Sequence, residues 1–275
     1  MKNTYGFEAL HNSLLEILDV IDNICKKYDI KYFLVFGSAI GAVRHKGFIP
    51  WDDDLDVAMI KSEYDRFKKV AEEELKGTKY FYQDITTDNE YYLPSAKIRN
   101  SETTFIDELV KDQKMNHGVY VDIFPIEGVP NSKLGRVFQK KAASMIYLTW
   151  SADKSASKFQ RTLTGICRSV IGKKRLIKLL LHLSRKFSYE KCKEVGIIDQ
   201  FEYGDTFFEK KYYENTVRVE FENRMIPINE AYNKILTKIY GDYMTPPSDE
   251  EKVKFWHKPY KMDLNKSYRE YGEYE

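Results

Sequence analysis

Apolar residues recur at Leu10, Leu14, Leu18, Ile21 and Ile24, three or four positions apart, which predicts a helix over Phe7 to Tyr28 packed by one face on a core. The period then changes. Lys31 to Phe36 (KYFLVF) is a short aromatic and β-branched run, read as a buried strand that breaks at a Gly37-Ser38 turn, with a short helix from roughly Ala39 to Arg44. After Pro50, the stretch from Asp54 to Ile60 alternates and then turns wholly apolar, as a second strand would. A helix over Lys61 to Leu75 and strands over Lys79 to Ile85, Ser95 to Arg99 and Gly118 to Ile126 follow. Two helical patterns come next, Leu134 to Trp150 and Ile166 to Phe187. Arg218 to Pro227 reads as a hairpin around Asn223, and Tyr232 to Tyr240 as a helix stopped by Gly241. Tyr243, a Pro246-Pro247 turn and His257 are expected to wrap back over the core, and the polar tail beyond Lys261 to fray. This order predicts an α/β (α+β) fold, a mixed sheet with the Gly-Ser turn and a block of carboxylates at one end. The expected divisions are a core at 1–130, a helical insertion at 131–200 and a C-terminal segment at 201–275.

The chemistry concentrates between Phe36 and Val57. A Gly-Ser turn at a helix N-terminus offers backbone N–H groups and a hydroxyl to a phosphate, so Gly37 and Ser38 are candidate donor-phosphate ligands. Strand alternation would turn Asp52, Asp54 and Asp56 to one face and Asp53 to the other, where it could orient Arg44 or cap the backbone. Carboxylates gathered in this way repel one another unless a cation joins them, and all-oxygen ligands suit Mg²⁺ or Mn²⁺ shared with substrate phosphates. Metal-assisted phosphoryl transfer is the reaction class this implies. A lone acidic triplet would more often be a solvated loop, but Trp51, the apolar strand after it and the turn before it argue for a site. Arg44, with His45 second, is placed to meet phosphate oxygens. Lys97 and Arg99 share one face of their strand, toward either a pyrophosphate or a surface ion pair. Asp122, on the strand with Val119, Val121 and Ile123 on its opposite face, is the candidate third carboxylate, against a structural, hydrogen-bonded one.

Gly37-Ser38 followed by GAVRHKGFIPWDDDLDV resembles the LicD family of phosphotransferases, a branch of the nucleotidyltransferase superfamily that also resembles the fukutin-type proteins. Ala96-Lys97-Ile98-Arg99, Gly118 to Pro125, Pro227, Tyr240 to Met244, Pro246-Pro247 and His257 fit in the same order, so the likeness runs from about residue 10 to 260. The resemblance implies a nucleotidyltransferase-like core in which Asp54, Asp56 and Asp122 are catalytic and hold the metal. It implies transfer of a phospho-alcohol, phosphocholine first among them, from a CDP-linked donor to a sugar hydroxyl of a cell-surface glycan such as teichoic acid, lipopolysaccharide or a capsule precursor, releasing CMP. Phosphoribitol, phosphoglycerol or a nucleotidyl group are the alternative cargoes. His257 is either a phosphate contact or a capping histidine. A protein of another class, a non-catalytic glycan- or membrane-binding relative, would be free to lose the carboxylates that this chain keeps.

Charge narrows the partners. The net charge of +2 hides a segregation: from Asn131 to Phe187 there are 14 Lys or Arg and one acid, Asp153. Basic helical patterns suit an anionic membrane surface, or else a cap with its lysines in water. Aromatics do not interleave with the basic residues as a nucleic-acid stacking platform requires, so nucleic acid is not an expected partner. Three cysteines without metal spacing point to free thiols in a reducing compartment. Met1 to Gly6 is polar and no apolar run reaches the roughly 18 residues of a membrane span, so the expected location is the cytoplasm, with peripheral contact at the inner leaflet as an extension.

Overall fold

The structure, a computed structural model, describes residues 5–151, 158–198, 204–252 and 259–272. Helix α1 (Glu8–Lys27) buries Leu10, Leu14, Leu18, Ile21 and Ile24, as its spacing requires. Strand β1 keeps Phe33–Leu34 of the expected run, because helix α2 (Phe36–His45) already opens at Phe36. Strand β2 (Asp56–Ile60) leads directly into α3 (Lys61–Glu74), and β3 (Tyr80–Gln83), β4 (Ala96–Asn100), β5 (Thr104–Ile106) and β6 (Val119–Val129) follow. Three helices come next, α4 (Lys133–Ser151), α5 (Lys158–Ile171) and α6 (Lys173–Ser184). The second expected helix is two, since Gly172 at φ +87 takes a left-handed backbone that ends α5 and starts α6. Strands β7 (Glu194–Gly196), β8 (Phe208–Glu209), β9 (Thr216–Phe221) and β10 (Arg224–Asn229), helices α7 (Tyr232–Tyr240) and α8 (Asp249–Lys252), and strand β11 (Lys261–Asp263) complete the order.

The main sheet is mixed, as expected of an α/β protein, with strand order β3-β4-β6-β2-β1-β10-β9. Strand β2 lies parallel to β6 and antiparallel to β1, while β10 runs parallel to β1. Alternation along β2 sends Val57 and Met59 to a core shared with α1 and Val121, and Ala58 to a second core with Phe33, Phe124 and Val195. The β9–β10 hairpin turns at Glu222 and Asn223, both in the left-handed region (φ 48 and 61), the two-residue turn whose twist matches its strands. Gly241 stops α7 at φ +69, as its position after the apolar run predicted.

The tail is not frayed through its described part. Strand β11 pairs antiparallel with β5, and Ser267 and Glu270 form a reciprocal cap on a short turn that seats Tyr268 against Ile106. The polar sequence concealed one well-buried aromatic, and that residue anchors the segment.

Candidate active site

Two features of the chain set the site. One is a strained entry into α2. Phe36 has φ +52, a region that costs a bulky residue on the order of 1–3 kcal/mol, and its ring is held by burial against Phe124 at 5.5 Å. Gly37 and Ser38 therefore lie in the first turn of α2 rather than in a free turn. A Cβ on Gly37 would stand 2.6 Å from Oδ2 of Asp52, so glycine is what lets that carboxylate approach the N-terminus of α2, where negative charge is favoured. The Ser38 hydroxyl is buried and accepts the backbone N–H of Asp56 at 2.8 Å. It ties helix to strand, a job its expected role as phosphate ligand did not include.

The other feature is strand register. Asp56 stands beside Asp122 in the parallel β2–β6 pair, and Lys97 stands beside Asp122 in the antiparallel β4–β6 pair. Three neighbouring strands thus line up Asp56, Asp122 and Lys97. The Lys97 ammonium donates to both Asp122 oxygens, at 2.6 and 2.7 Å, and lies 3.5 Å from the centre of the Tyr120 ring. Burial pulls the Lys97 ammonium down from its ordinary range, and Asp122 opposes that. Asp56 is held well above the usual carboxylate range, first by burial and then by Asp54, Asp122 and Asp52.

Residues 52–55 are irregular, so strand alternation does not govern them. One carboxylate oxygen from each of Asp52, Asp53 and Asp54 comes within 4.8 Å of the others. The expectation that Asp53 faces away is corrected: it belongs to this group and is the most buried of the three. The loop is pinned from α1, where His11 stacks on Phe48 and its Nε2 lies 2.8 Å from the Asp52 carbonyl oxygen. Sequence reasoning gave α1 a packing role alone; a histidine beside Leu10 on its buried face was the available signal.

The predicted cations separate. Arg44 donates through Nη1 to the Tyr243 carbonyl at 2.6 Å and through Nε to His45 at 2.9 Å, and its guanidinium lies 5.7 Å from the Trp51 ring centre. Burial lowers Arg44 and the Asp52 carboxylate opposes the effect, while burial and then Arg44 lower His45; Arg44 has part of its donor capacity used, and His45 Nε2 accepts from it. Arg99 is buried, donating to Gln83 and to the Gly118 carbonyl. These contacts hold β4 to its neighbours. His257 lies outside the described residues. Tyr240, at the end of α7, is part of the family likeness; burial first and then Asp56, Asp52 and Asp54 push its phenol up, so it stays a neutral O–H donor, while 40% of the residue stays open to solvent.

The carboxylates, Lys97 and Arg44 lie within a region that matches a known family, while His11, Tyr240 and Tyr243 lie outside it. Residues 29–165 match the LicD/FKTN/FKRP nucleotidyltransferase domain. The chain is also 32% identical over 249 residues to the lipopolysaccharide cholinephosphotransferase LicD of Haemophilus influenzae, covering 86% of this chain and 91% of that protein. The chain belongs to the LicD family. As a LicD-family protein it is a phosphotransferase enzyme. Shorter likenesses join it to uncharacterized proteins of Rickettsia typhi, 36% identical over 58 residues (21% of this chain, 19% of that one), and Rickettsia prowazekii, 42% over 55 (20% of each). Among the described residues no helix is long and apolar enough to cross a membrane.

Proposed function

We propose that this LicD-family enzyme transfers phosphocholine from CDP-choline to a sugar hydroxyl of a cell-surface glycan of the lipopolysaccharide kind and releases CMP. The observation that carries the reading is the grouping of Asp52, Asp53 and Asp54 in the loop before β2, with Asp56 beside Asp122 in the β2–β6 register, in a chain 32% identical over 86% of its length to a cholinephosphotransferase. The donor set is all oxygen, and Asp56 is raised first by burial and then by Asp54, Asp122 and Asp52, whose negative charges crowd it. A hard divalent cation fits this donor set. Asp54, Asp56 and Asp122 would hold Mg²⁺ or Mn²⁺, with Asp52 and Asp53 alongside. Such an ion supplies Lewis acidity toward phosphoryl oxygens.

The protein's own groups do the rest. Each Asp122 oxygen accepts from Lys97 and keeps a further lone pair for a cation or for the proton of the attacking hydroxyl. Arg44 and Tyr240 flank the acidic loop as donors toward the phosphates. Attack on the phosphorus that bears choline expels CMP, whereas nucleotidyl transfer from a nucleoside triphosphate would expel pyrophosphate, so product analysis separates the two.

The test is incubation with Mg²⁺, CDP-choline and a lipopolysaccharide-type acceptor, following CMP. Asp54→Asn and Asp56→Asn should each abolish CMP release. Asp56→Asn should also raise the melting temperature of the metal-free protein, because it removes a carboxylate whose ionised form the fold disfavours. Full turnover in either variant, or release of pyrophosphate from a triphosphate with no activity on CDP-alcohols, would overturn the assignment.

A further inference from the structure

Helices α4 to α6 pose a question that their packing does not answer. Their inward faces are accounted for: Ile146, Leu176, Ile177, Leu180 and Leu181 form a closed cluster with Ile85 and Tyr92. The unit is fastened to the core as well. Gln139 donates to the Gly128 and Ser184 carbonyls at 2.9 Å, Arg185 pairs with Glu127 at 2.9 Å and also donates to the Pro94 carbonyl, and Lys174 donates to Asn89. A cap built this way should turn only polar groups outward. It does not: of the thirteen large apolar side chains exposed among the described residues, six lie on these three helices.

They are grouped by helical spacing. Leu134, Val137 and Phe138 sit one turn apart at the start of α4, exposed by 84, 52 and 39%, and Ile166 and Val170 sit one turn apart on α5 at 57 and 80%. Leu179 joins them on α6. Around them are basic side chains. Arg168, Arg175 and Lys178 are exposed, and the Lys186 ammonium lies 4.3 Å from the Phe138 ring centre. The segment from 131 to 187 carries fourteen cations against Asp153.

Exposed apolar groups scattered singly are ordinary on a soluble surface, but grouped by turn and ringed by cations with almost no acid they match one kind of partner. We infer that helices α4 to α6 dock on an anionic lipid surface, with the exposed Leu134, Val137, Phe138, Ile166 and Val170 entering the headgroup layer and the surrounding Lys and Arg meeting lipid phosphates. A bilayer offers both halves at once: a negatively charged plane and a shallow apolar layer beneath it. An acidic protein or a free polyanion would satisfy the charges and leave five apolar side chains in water. Because Arg185 grips the Pro94 carbonyl, three residues before Lys97, docking would fix the catalytic carboxylates at a set position relative to the membrane.

The experiment is cosedimentation of the full chain with vesicles of phosphatidylglycerol and phosphatidylethanolamine, compared with phosphatidylcholine vesicles. Binding is expected to the anionic vesicles alone, strong at low salt and weakened at high salt. Two variants are tested: Arg168→Gln with Arg175→Gln and Lys178→Gln, and Ile166→Asn with Val170→Asn. All five side chains are exposed, so both variants should melt as wild type does. Each should bind anionic vesicles more weakly, by roughly a hundredfold for the three charges at about fivefold each. CMP release from CDP-choline with a soluble acceptor should be unchanged in both, which separates docking from the catalytic reading. Wild-type protein that ignores anionic vesicles at low salt overturns the inference. So does an apolar variant that binds as wild type.

Discussion

Replacing Lys97 by methionine tests the electrostatic frame of the site most directly. Its ammonium is 2.6 and 2.7 Å from the two Asp122 oxygens, with side-chain exposures of 5% and 14% for the pair, and Asp56 stands next to Asp122 in register. Methionine keeps most of the volume and the contact with Tyr120 but removes the charge. Asp122 is then left almost buried without its counter-ion and beside a second carboxylate, and breaking a buried pair from one side costs about 3–5 kcal/mol. For a chain of this size that is a fall in melting temperature on the order of 10 °C. The double variant Lys97→Met with Asp122→Asn should recover most of the loss, since a neutral pair of similar shape restores the balance. Mg²⁺ should stabilise the single variant more than wild type, because the carboxylates that lost their resident cation bind an added one more tightly. Differential scanning fluorimetry across a Mg²⁺ titration reads all three. If Lys97 served donor phosphates instead, Lys97→Met would melt within about 2 °C of wild type, well inside the scale of the broken pair, and would fail only in CDP-choline binding. That result would refute the argument.

Ser38→Ala should lower stability by about 1–3 kcal/mol in chemical denaturation, the cost of leaving the buried Asp56 N–H without its acceptor. Unchanged stability with weakened donor affinity would return Ser38 to the phosphate. His117 is fully buried, with Nε2 against the Gln113 carbonyl, and burial pushes its pKa down to about 4. The unfolded chain takes up that proton near pH 6.5 while the native protein refuses it, so stability should fall with acidity between pH 6.5 and 4. Between pH 7 and 5 the loss is about 2 kcal/mol, and it should vanish in His117→Gln. Tyr268→Ala should release the C-terminal segment, seen as rapid hydrogen exchange at Met262 and faster proteolysis after Lys261, with the main sheet still protected.

Periodicity determined the elements whose burial is set locally. α1, α7 and the hairpin at Asn223 follow their apolar spacing and turn residues because a helix face or a two-residue turn is decided within a few positions of chain. The family likeness was equally legible, since the stretch from Gly37 to Val57 is contiguous. What the chain could not show was decided across the sheet. That Lys97 neutralises Asp122 depends on β4 and β6 pairing in one register out of several, and a shift of one residue would turn the lysine to the other face. That Asp53 joins Asp52 and Asp54 depends on a loop held from α1 by His11, forty-one residues away in the chain. Ser38 reads as a phosphate ligand from its neighbours in sequence; that its hydroxyl also ties to Asp56 depends on β2, which brings that N–H within 2.8 Å. The polar tail read as loose for the same reason: Tyr268 finds its pocket on Ile106 only after β5 and β11 have paired. Local spacing selects helices and turns, but the meeting of charged side chains from distant strands is settled by register, which exists only once the sheet has formed.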